Sequence, residues 1–474
     1  MIGADLYRRL PHHSLPQVWF TRVWTLQELL LARDPIIVCG PQYISWYQYE
    51  RWINCNWYQY DYLDEKTAGP HYSLQRTINT RNNYMSLKDR DNNRRKEDAS
   101  QPPVRLIRLC HYLIENAARR DSSDDRDLVY SLHALMLELG LEPEAPDYNK
   151  NVRTVHEEFA ITIIRRTNNL MLLTTATPSF RDGGLGWPSW VPNLARSGWN
   201  IAHTYSRLIN YPSFRPGFKL SHQPGRITLE GTLFNPVKEV GVHSGLRIQK
   251  SLQDLELQRF ISFRAAYWLN KVFELAQRAG TCPNGEPATT ALLEAFWYDV
   301  GEEERRNIFP SRIKATFGGD KVASPWLDEG MVTRMRVYVS GISDEIRRLL
   351  DIQRGQDGCC ATIEEAVEFL AKSKDYYRTD DDSHDLEYIR RMCDYHGGFV
   401  PVALSNGCVG WGYGKYKEGS KVVFLYGCDL PYVVERCGQE YRFVGPVKMG
   451  GIPKGVWPPA EGTMNSQVEL MTFV

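Results

Sequence analysis

The sequence lacks an excess of charge of either sign. Its 474 residues include 57 lysines and arginines against 57 aspartates and glutamates, so the formal net charge is zero. Nucleic acids and anionic membranes attract proteins through a positively charged surface, and neither is therefore an expected partner. Long uncharged apolar runs are also missing, and residues 1–20 have no signal-peptide core, which predicts a cytoplasmic protein without a transmembrane helix.

Metal-ligand spacings are absent as well. The ten cysteines include no Cys-x-x-Cys pair, and scattered thiols in a long chain indicate reduced cysteines in the cytosol or nucleus. Cys359 and Cys360 are adjacent, a spacing that does not let both thiolates bind one zinc ion comfortably, and no histidine pair lies nearby. The sequence therefore predicts no metal site and no cofactor.

The motifs of several common enzyme classes are missing too. The chain has no Walker phosphate loop, no Gly-x-Ser-x-Gly elbow and no His-Glu-x-x-His zinc motif. A glycine-rich run at residues 407–414 precedes strands rather than a helix, so it predicts tight β-turns and not a dinucleotide site. His12, His13 and His396 are isolated, which is typical of surface or hydrogen-bonded histidines.

What the sequence does contain is an informative stretch close to its N-terminus. Residues 21–33 carry apolar side chains at the spacing of one helical stripe, and Thr21 is the expected N-cap. The Asp34-Pro35 step is the expected end of this helix. Residues 36–39 are apolar and are followed by Gly40-Pro41, which predicts a buried strand and a turn.

Trp24 and Glu28 lie four residues apart and therefore share one face of the predicted helix. They place a carboxylate beside a large aromatic ring on a mostly apolar helix. Two structural interpretations compete with a catalytic one. Residues 25–28 have capping-box spacing, and a solvated glutamate on a helix is ordinary. From the residues alone, a catalytic Glu28 is the least favoured of the three interpretations.

The same stretch resembles a known family. Residues 22–29, Val38-Cys39-Gly40 and Ile44-Ser45-Trp46 are similar to the closing segment of the fungal heterokaryon-incompatibility (HET) domain. The Trp-x-x-x-Glu spacing also resembles the Trp-Cys-x-x-Glu helix of TIR domains, which HET domains resemble in fold. In TIR enzymes that glutamate serves NAD cleavage, so the resemblance implies Glu28 as the catalytic carboxylate and Trp24 as a binding residue.

The opening motifs of the HET pattern, Tyr-x-x-Leu-Ser-Tyr-x-Trp-Gly and Trp-Ile-Asp-x-x-Cys-Ile-Asn-Gln, do not occur in this sequence. The chain is therefore predicted to carry a truncated HET domain, with a TIR-like α/β remnant over residues 1–60. Residues 61–103 lose apolar periodicity and mix charges of both signs, which predicts a flexible linker.

Residues 104–395 are predicted to be mainly helical, with a short strand near 227–240. The family resemblance continues at residues 125–130, Pro146-Asp147-Tyr148 and, most specifically, residues 185–192. In that last segment two prolines favour an extended backbone around Trp190, which predicts a buried anchor rather than a ligand site.

Residues 396–474 change character. Short β-rich runs separated by turn residues recur about every ten positions, which predicts a small antiparallel sheet or barrel pinned to the helical core, with Trp411 or Phe424 buried. This tail also resembles HET proteins, although Ser420 stands where their pattern has aspartate. The predicted fold class is thus α+β, with a truncated TIR-like N-terminus, a helical middle and a small antiparallel β-rich C-terminal module.

The resemblance implies a role in fungal heterokaryon incompatibility, an innate immune process in which non-self recognition leads to programmed cell death of fused cells. Protein partners are expected, with no nucleic acid and no membrane, in an interaction or vestigial role. The alternative is a TIR-like enzyme that cleaves NAD as its substrate, with Glu28 as the catalytic carboxylate. The sequence does not predict an oligomeric state.

Overall fold

A computed structural model describes residues 17–39, 41–56, 74, 77–86, 104–176, 186–195, 218–241, 272, 274–297, 400–428, 430–453 and 468–474. Several predictions fall outside these residues: the two ends of the predicted linker, most of the predicted helical region beyond residue 241, and the positions of His12, His13, Cys359, Cys360 and His396.

Helices and strands form largely separate runs along the described chain. The α-helices are α1 (Gln17–Thr21), α2 (Trp24–Leu31), α3 (Trp46–Asn56), α4 (Val104–Ala118), α5 (Asp127–Tyr130), α6 (His133–Glu138), α7 (Val152–Thr167) and α8 (Ala288–Trp297), with a 3₁₀ helix at Met171–Thr175. The strands are β1 (Ile36–Cys39), β2 (Gln42–Ser45), β3 (Leu220–Gln223), β4 (Arg226–Val240), β5 (Val400–Leu404), β6 (Val409–Gly412), β7 (Lys421–Leu425), β8 (Tyr432–Cys437), β9 (Glu440–Gly450) and β10 (Glu469–Phe473). The predicted α+β class with a β-rich C-terminal module is confirmed, whereas the TIR-like remnant stays a prediction.

Helix α2 buries the apolar stripe that the sequence predicts, because Val23, Leu26, Leu29 and Leu30 are all buried. The predicted caps are wrong. Thr21 lies at the end of α1, and α2 begins after Val23 without a side-chain cap. Thr25 lies inside the helix, where its Oγ1 donates to the Arg22 carbonyl at 2.7 Å. The capping-box interpretation of Glu28 is therefore wrong as well.

Part of the predicted flexible linker is a helix. Residues 77–86 are helical, and Thr77, Ile78, Arg81 and Tyr84 are buried there. Composition misleads at this point because the polar side chains are hydrogen-bonded in the interior rather than solvated. The Asn116 amide, for example, donates to the Thr80 hydroxyl at 2.7 Å.

Strands β1 and β2 form an antiparallel two-stranded hairpin, which α3 follows directly. Ser45 begins that helix as expected of a capping box, because Gln48 N donates to Ser45 Oγ and Ser45 N donates to Gln48 Oε1, both at 3.3 Å. The prediction that residues 36–39 form a buried strand is only half right. Ile36 and Val38 are exposed, because a lone hairpin packs only one of its faces on the core.

The C-terminal strands close into a barrel together with β4. Strand β4 pairs with β7 through its middle and with β5 through its C-terminal end, and the pairings β5–β6, β6–β9, β9–β8 and β8–β7 complete the ring. All six pairings are antiparallel. Pro236 lies at a register shift of β4, where a residue without an amide hydrogen is tolerated.

Strand β4 covers the strand predicted near 227–240, and it joins the C-terminal strands in one sheet. Strand β10 pairs antiparallel with β4 and, through Phe473 and Tyr441, parallel with β9. Strand β3 forms a hairpin with the N-terminal end of β4.

Both faces of the barrel wall are buried. Val422 and Val433 belong to a cluster made of sheet and loop residues alone, while their neighbours Val423, Tyr432 and Val434 belong to a second cluster that includes the helices. This alternation follows from the two-residue period of a strand. The prediction for Trp411 and Phe424 is confirmed, because both are buried.

Trp190 is the anchor between the helices and the sheet that the proline-flanked segment predicts. Its side chain is completely buried. The preceding Ser189 ties two strands to the same segment. Its Oγ accepts from Phe443 N on β9 at 3.0 Å and donates to the Val474 main-chain oxygen beyond β10, which also accepts from Ser189 N at 3.0 Å.

Replacing Trp190 by alanine should lower the free energy of unfolding by roughly 3–5 kcal/mol, from lost apolar burial and the cavity left behind. Chemical denaturation followed by far-ultraviolet circular dichroism measures this loss. Leu470→Ala is the control, because Leu470 is 64% exposed and its truncation should cost less than about 1 kcal/mol. Equal midpoints for the two variants would contradict the anchoring role.

Candidate functional site

Helix α2, which carries Trp24 and Glu28, is held at its N-terminal side by one buried arginine. Arg120, in the turn after α4, donates Nη1 to the Phe20 carbonyl at 2.7 Å and to Thr25 Oγ1 at 2.8 Å, and Nη2 to Thr77 Oγ1 at 2.5 Å. Burial lowers the pKa of Arg120 to about 10, so the guanidinium remains charged at neutral pH.

A second arginine binds the other end of the helix. Arg81 donates Nη1 to the Leu29 carbonyl at 2.6 Å and Nη2 to the Ala32 carbonyl at 3.0 Å. The last carbonyls of a helix have no partners within it and carry partial negative charge, so a buried guanidinium both satisfies and neutralises them. The predicted site therefore lies on a rigid helix.

The structure places the two predicted site residues differently. Glu28 is exposed, whereas Trp24 is half-buried and packs against the helical core. No hydrogen bond or ion pair reaches the Glu28 carboxylate from the described part of the chain. A carboxylate that stabilises a developing charge on a sugar needs positioned neighbours and exclusion of water. The roles of Glu28 and Trp24 in catalysis and binding stay predictions.

A polar groove of about 310 Å³ lies elsewhere, where β3, β4, β10 and the first residue of β9 meet. Two contacts cross it: Arg226 Nε donates to Glu440 Oε1 at 2.6 Å, and the hydroxyls of Thr228 and Thr472 lie 2.9 Å apart. The remaining lining residues are Ser221 and Gln223. Because Arg226 and Glu440 neutralise each other, the groove offers hydrogen bonds rather than net charge.

One carboxylate fastens this groove to the helices. Glu157 on α7 is buried and accepts hydrogen bonds from His222 Nε2 at 2.9 Å and from Gly225 N at 2.5 Å. Gly225 has a φ of +78°, a conformation that strains residues with a Cβ atom, so the turn between β3 and β4 favours glycine.

Burial makes several thiols and one imidazole of the described chain poorly reactive. Burial raises the pKa of Cys282 to about 11 and those of Cys110 and Cys408 to about 12, which keeps these thiols protonated and poorly nucleophilic. Burial also lowers the pKa of His156, so its imidazole is neutral at physiological pH.

The described residues provide neither a metal-binding cluster nor a membrane-spanning helix. They contain no group of three or more histidine, cysteine, aspartate or glutamate side chains arranged to hold a metal ion. None of the helices in this part of the chain combines the length and the apolar character needed to cross a bilayer.

Comparison with curated proteins finds a relative along nearly the whole chain. The sequence is 23% identical over 475 residues to heterokaryon incompatibility protein 6, OR allele, of Neurospora crassa. The chain is similar to a fungal heterokaryon-incompatibility protein. The match covers 93% of this chain and 64% of that relative, so the chain spans less than two thirds of its length. No family model matches the chain, and no solved structure does.

This match supports the resemblance to fungal heterokaryon-incompatibility proteins. It also extends beyond the segments in which the family's motifs were found. Sequence reasoning missed the polar groove, because its residues come from strands far apart in the chain: Arg226 and Glu440 are separated by 214 positions. It also missed Arg81, since this arginine lies in a charged stretch with no apolar periodicity.

Replacing Arg81 by alanine should lower the free energy of unfolding by about 2–4 kcal/mol. The reason is that buried carbonyls at the end of α2 would lose the guanidinium hydrogen bonds that satisfy them. Urea denaturation measures the change. The neighbouring exposed Arg33→Ala is the control and should change stability by less than about 0.5 kcal/mol. Similar losses for both variants would show that Arg81 does not hold the helix end.

Proposed function

We propose that this protein acts in fungal heterokaryon incompatibility, as a cytoplasmic protein whose recognition of non-self leads to programmed cell death. The observation that carries the proposal is the similarity to heterokaryon incompatibility protein 6 of Neurospora crassa over 93% of the chain. That match spans the regions of both the helical core and the barrel, so it is more than a shared short motif.

We further propose that the protein acts through contacts with other proteins rather than through catalysis. Glu28 is exposed and its carboxylate has no hydrogen bond or ion pair with the described residues, and the buried cysteines are held protonated. Zero net charge does not favour polyanionic partners. No cofactor is required for a role of this kind.

The alternative is NAD cleavage of the TIR type, with NAD as substrate. The observation in its favour is geometric: α2 presents an exposed carboxylate and a half-buried indole on one helical face, where Trp24 is available to pack against a flat ring. A complete pocket needs further residues to position the ribose and to exclude water. They would have to come from outside the described residues or from another chain.

The incompatibility role is tested in forced heterokaryons. Two isogenic strains that carry sequence-divergent versions of this gene should grow slowly together and take up a membrane-impermeant dye. Strains with the same version should grow normally and serve as the control. Deleting the gene from both strains should restore growth. Incompatibility that persists unchanged after the double deletion would contradict the proposal.

The enzymatic alternative is tested by incubating the purified full chain with NAD and following nicotinamide release. We expect no release at an enzyme-like rate, either from the natural protein or from Glu28→Gln. This substitution should change the free energy of unfolding by less than about 1 kcal/mol, because the side chain is exposed. Release that Glu28→Gln abolishes while the fold is retained would establish the enzymatic function instead.

A further inference from the structure

The hairpin of β1 and β2 presents apolar side chains to solvent. Its register pairs Val38 with Tyr43 and Ile37 with Ile44. Ile44 is buried and Ile37 is partly buried against the core, so the other face carries Ile36, Val38 and Tyr43, with 58%, 65% and 71% of their surface exposed. Tyr47, in the first turn of α3 at the base of the hairpin, is also 71% exposed.

These four side chains, Ile36, Val38, Tyr43 and Tyr47, are the hairpin face. Single exposed apolar residues are normal on protein surfaces, but several brought together by one hairpin indicate an interaction site. Tyrosine is among the residue types enriched at the centres of protein interfaces. Among the described residues, the hairpin's contacts with the core come from its opposite face, so the core does not account for the apolar character of these four.

We propose that the hairpin face binds the same face of a second copy of this chain, across a two-fold axis. This inference goes beyond the proposed function and does not depend on it. Two-fold pairing uses one patch twice, so it needs only a self-complementary surface. A zero net charge means that two copies do not repel each other as they approach.

The charges beside the hairpin fit such an axis. Arg33 and Asp34, immediately before β1, are both exposed and carry opposite charges. A two-fold axis can bring the arginine of one copy towards the aspartate of the other and the reverse. This pairing contributes little to affinity at an exposed rim, but it disfavours binding of surfaces with a single sign of charge.

The area is enough for a weak, specific dimer. A tyrosine side chain buries about 150–250 Å² when fully covered, so the two tyrosines of one copy offer roughly 200–350 Å² at their observed exposure. With Ile36 and Val38 included and two-fold symmetry applied, the total is on the order of 1,000 Å², which is the lower limit of a specific interface. We expect a weak dimer, because an interface of this size offers few contacts to offset the cost of association.

Sedimentation equilibrium of the purified full chain tests this over about 1–100 µM, the range expected of a small interface. The natural protein should shift from monomer towards dimer as concentration rises. Tyr43→Lys should weaken the dimer at least tenfold, because the two-fold axis brings like charges together. Tyr43→Ser, which adds no charge, should weaken it less, and provides a second readout if the lysine variant does not fold.

The control is Leu470→Lys, which introduces the same charge at another exposed apolar residue, 64% exposed on β10. It should dimerise as the natural protein does. A natural protein that remains monomeric over the whole range would overturn the proposal, and so would a dimer that both Tyr43 variants leave intact. Equal weakening by Leu470→Lys and Tyr43→Lys would also overturn it, because the effect would then be one of net charge.

Discussion

The N-terminal part of this protein depends on two buried guanidinium groups. Arg120 and Arg81 come from different helical segments, and each donates to main-chain carbonyls around α2. Burying a carbonyl group without a hydrogen-bond donor costs free energy, and burying a cation without acceptors costs more. The guanidinium groups and the carbonyls therefore require each other. This mutual requirement holds a short helix of eight residues in a fixed position that its own propensity could not maintain.

The barrel has a comparable dependence on one element. Strand β4 pairs with β5 and β7 to close the ring and also carries the β3 hairpin and β10. Because β4 precedes the C-terminal strands by more than 150 positions, no local sequence pattern predicts that it pairs with them. Glu157 and Trp190 then connect the same region to the helices, one through hydrogen bonds to the β3–β4 hairpin and the other through complete burial.

Sequence reasoning succeeded wherever apolar spacing controls the structure. The stripe of α2, the buried Trp190 and the β-rich C-terminal region follow from periodicity and from proline and glycine positions. It failed where polar groups are satisfied by distant partners. Residues 77–86 look solvated, but Arg81 and Thr77 are buried within hydrogen bonds that link three helical segments. The polar groove could not be predicted for a related reason. Its side chains become neighbours only when their strands pair, and these strands lie far apart in the sequence. For Glu28 the helix could be predicted, but the environment that decides its chemistry depends on other segments.

The Ser189 contacts have a consequence for the order in which the chain folds. Ser189 binds the Val474 main-chain oxygen across 285 positions, and Trp190 beside it is completely buried in the cluster that helices and sheet share. While the ribosome is still synthesising β10, Trp190 therefore lacks part of the surroundings that bury it. Contacts of such long sequence separation form slowly and leave apolar surface open in the meantime. The nascent helical region should therefore be a client of chaperones until β10 has been made and inserted beside β4.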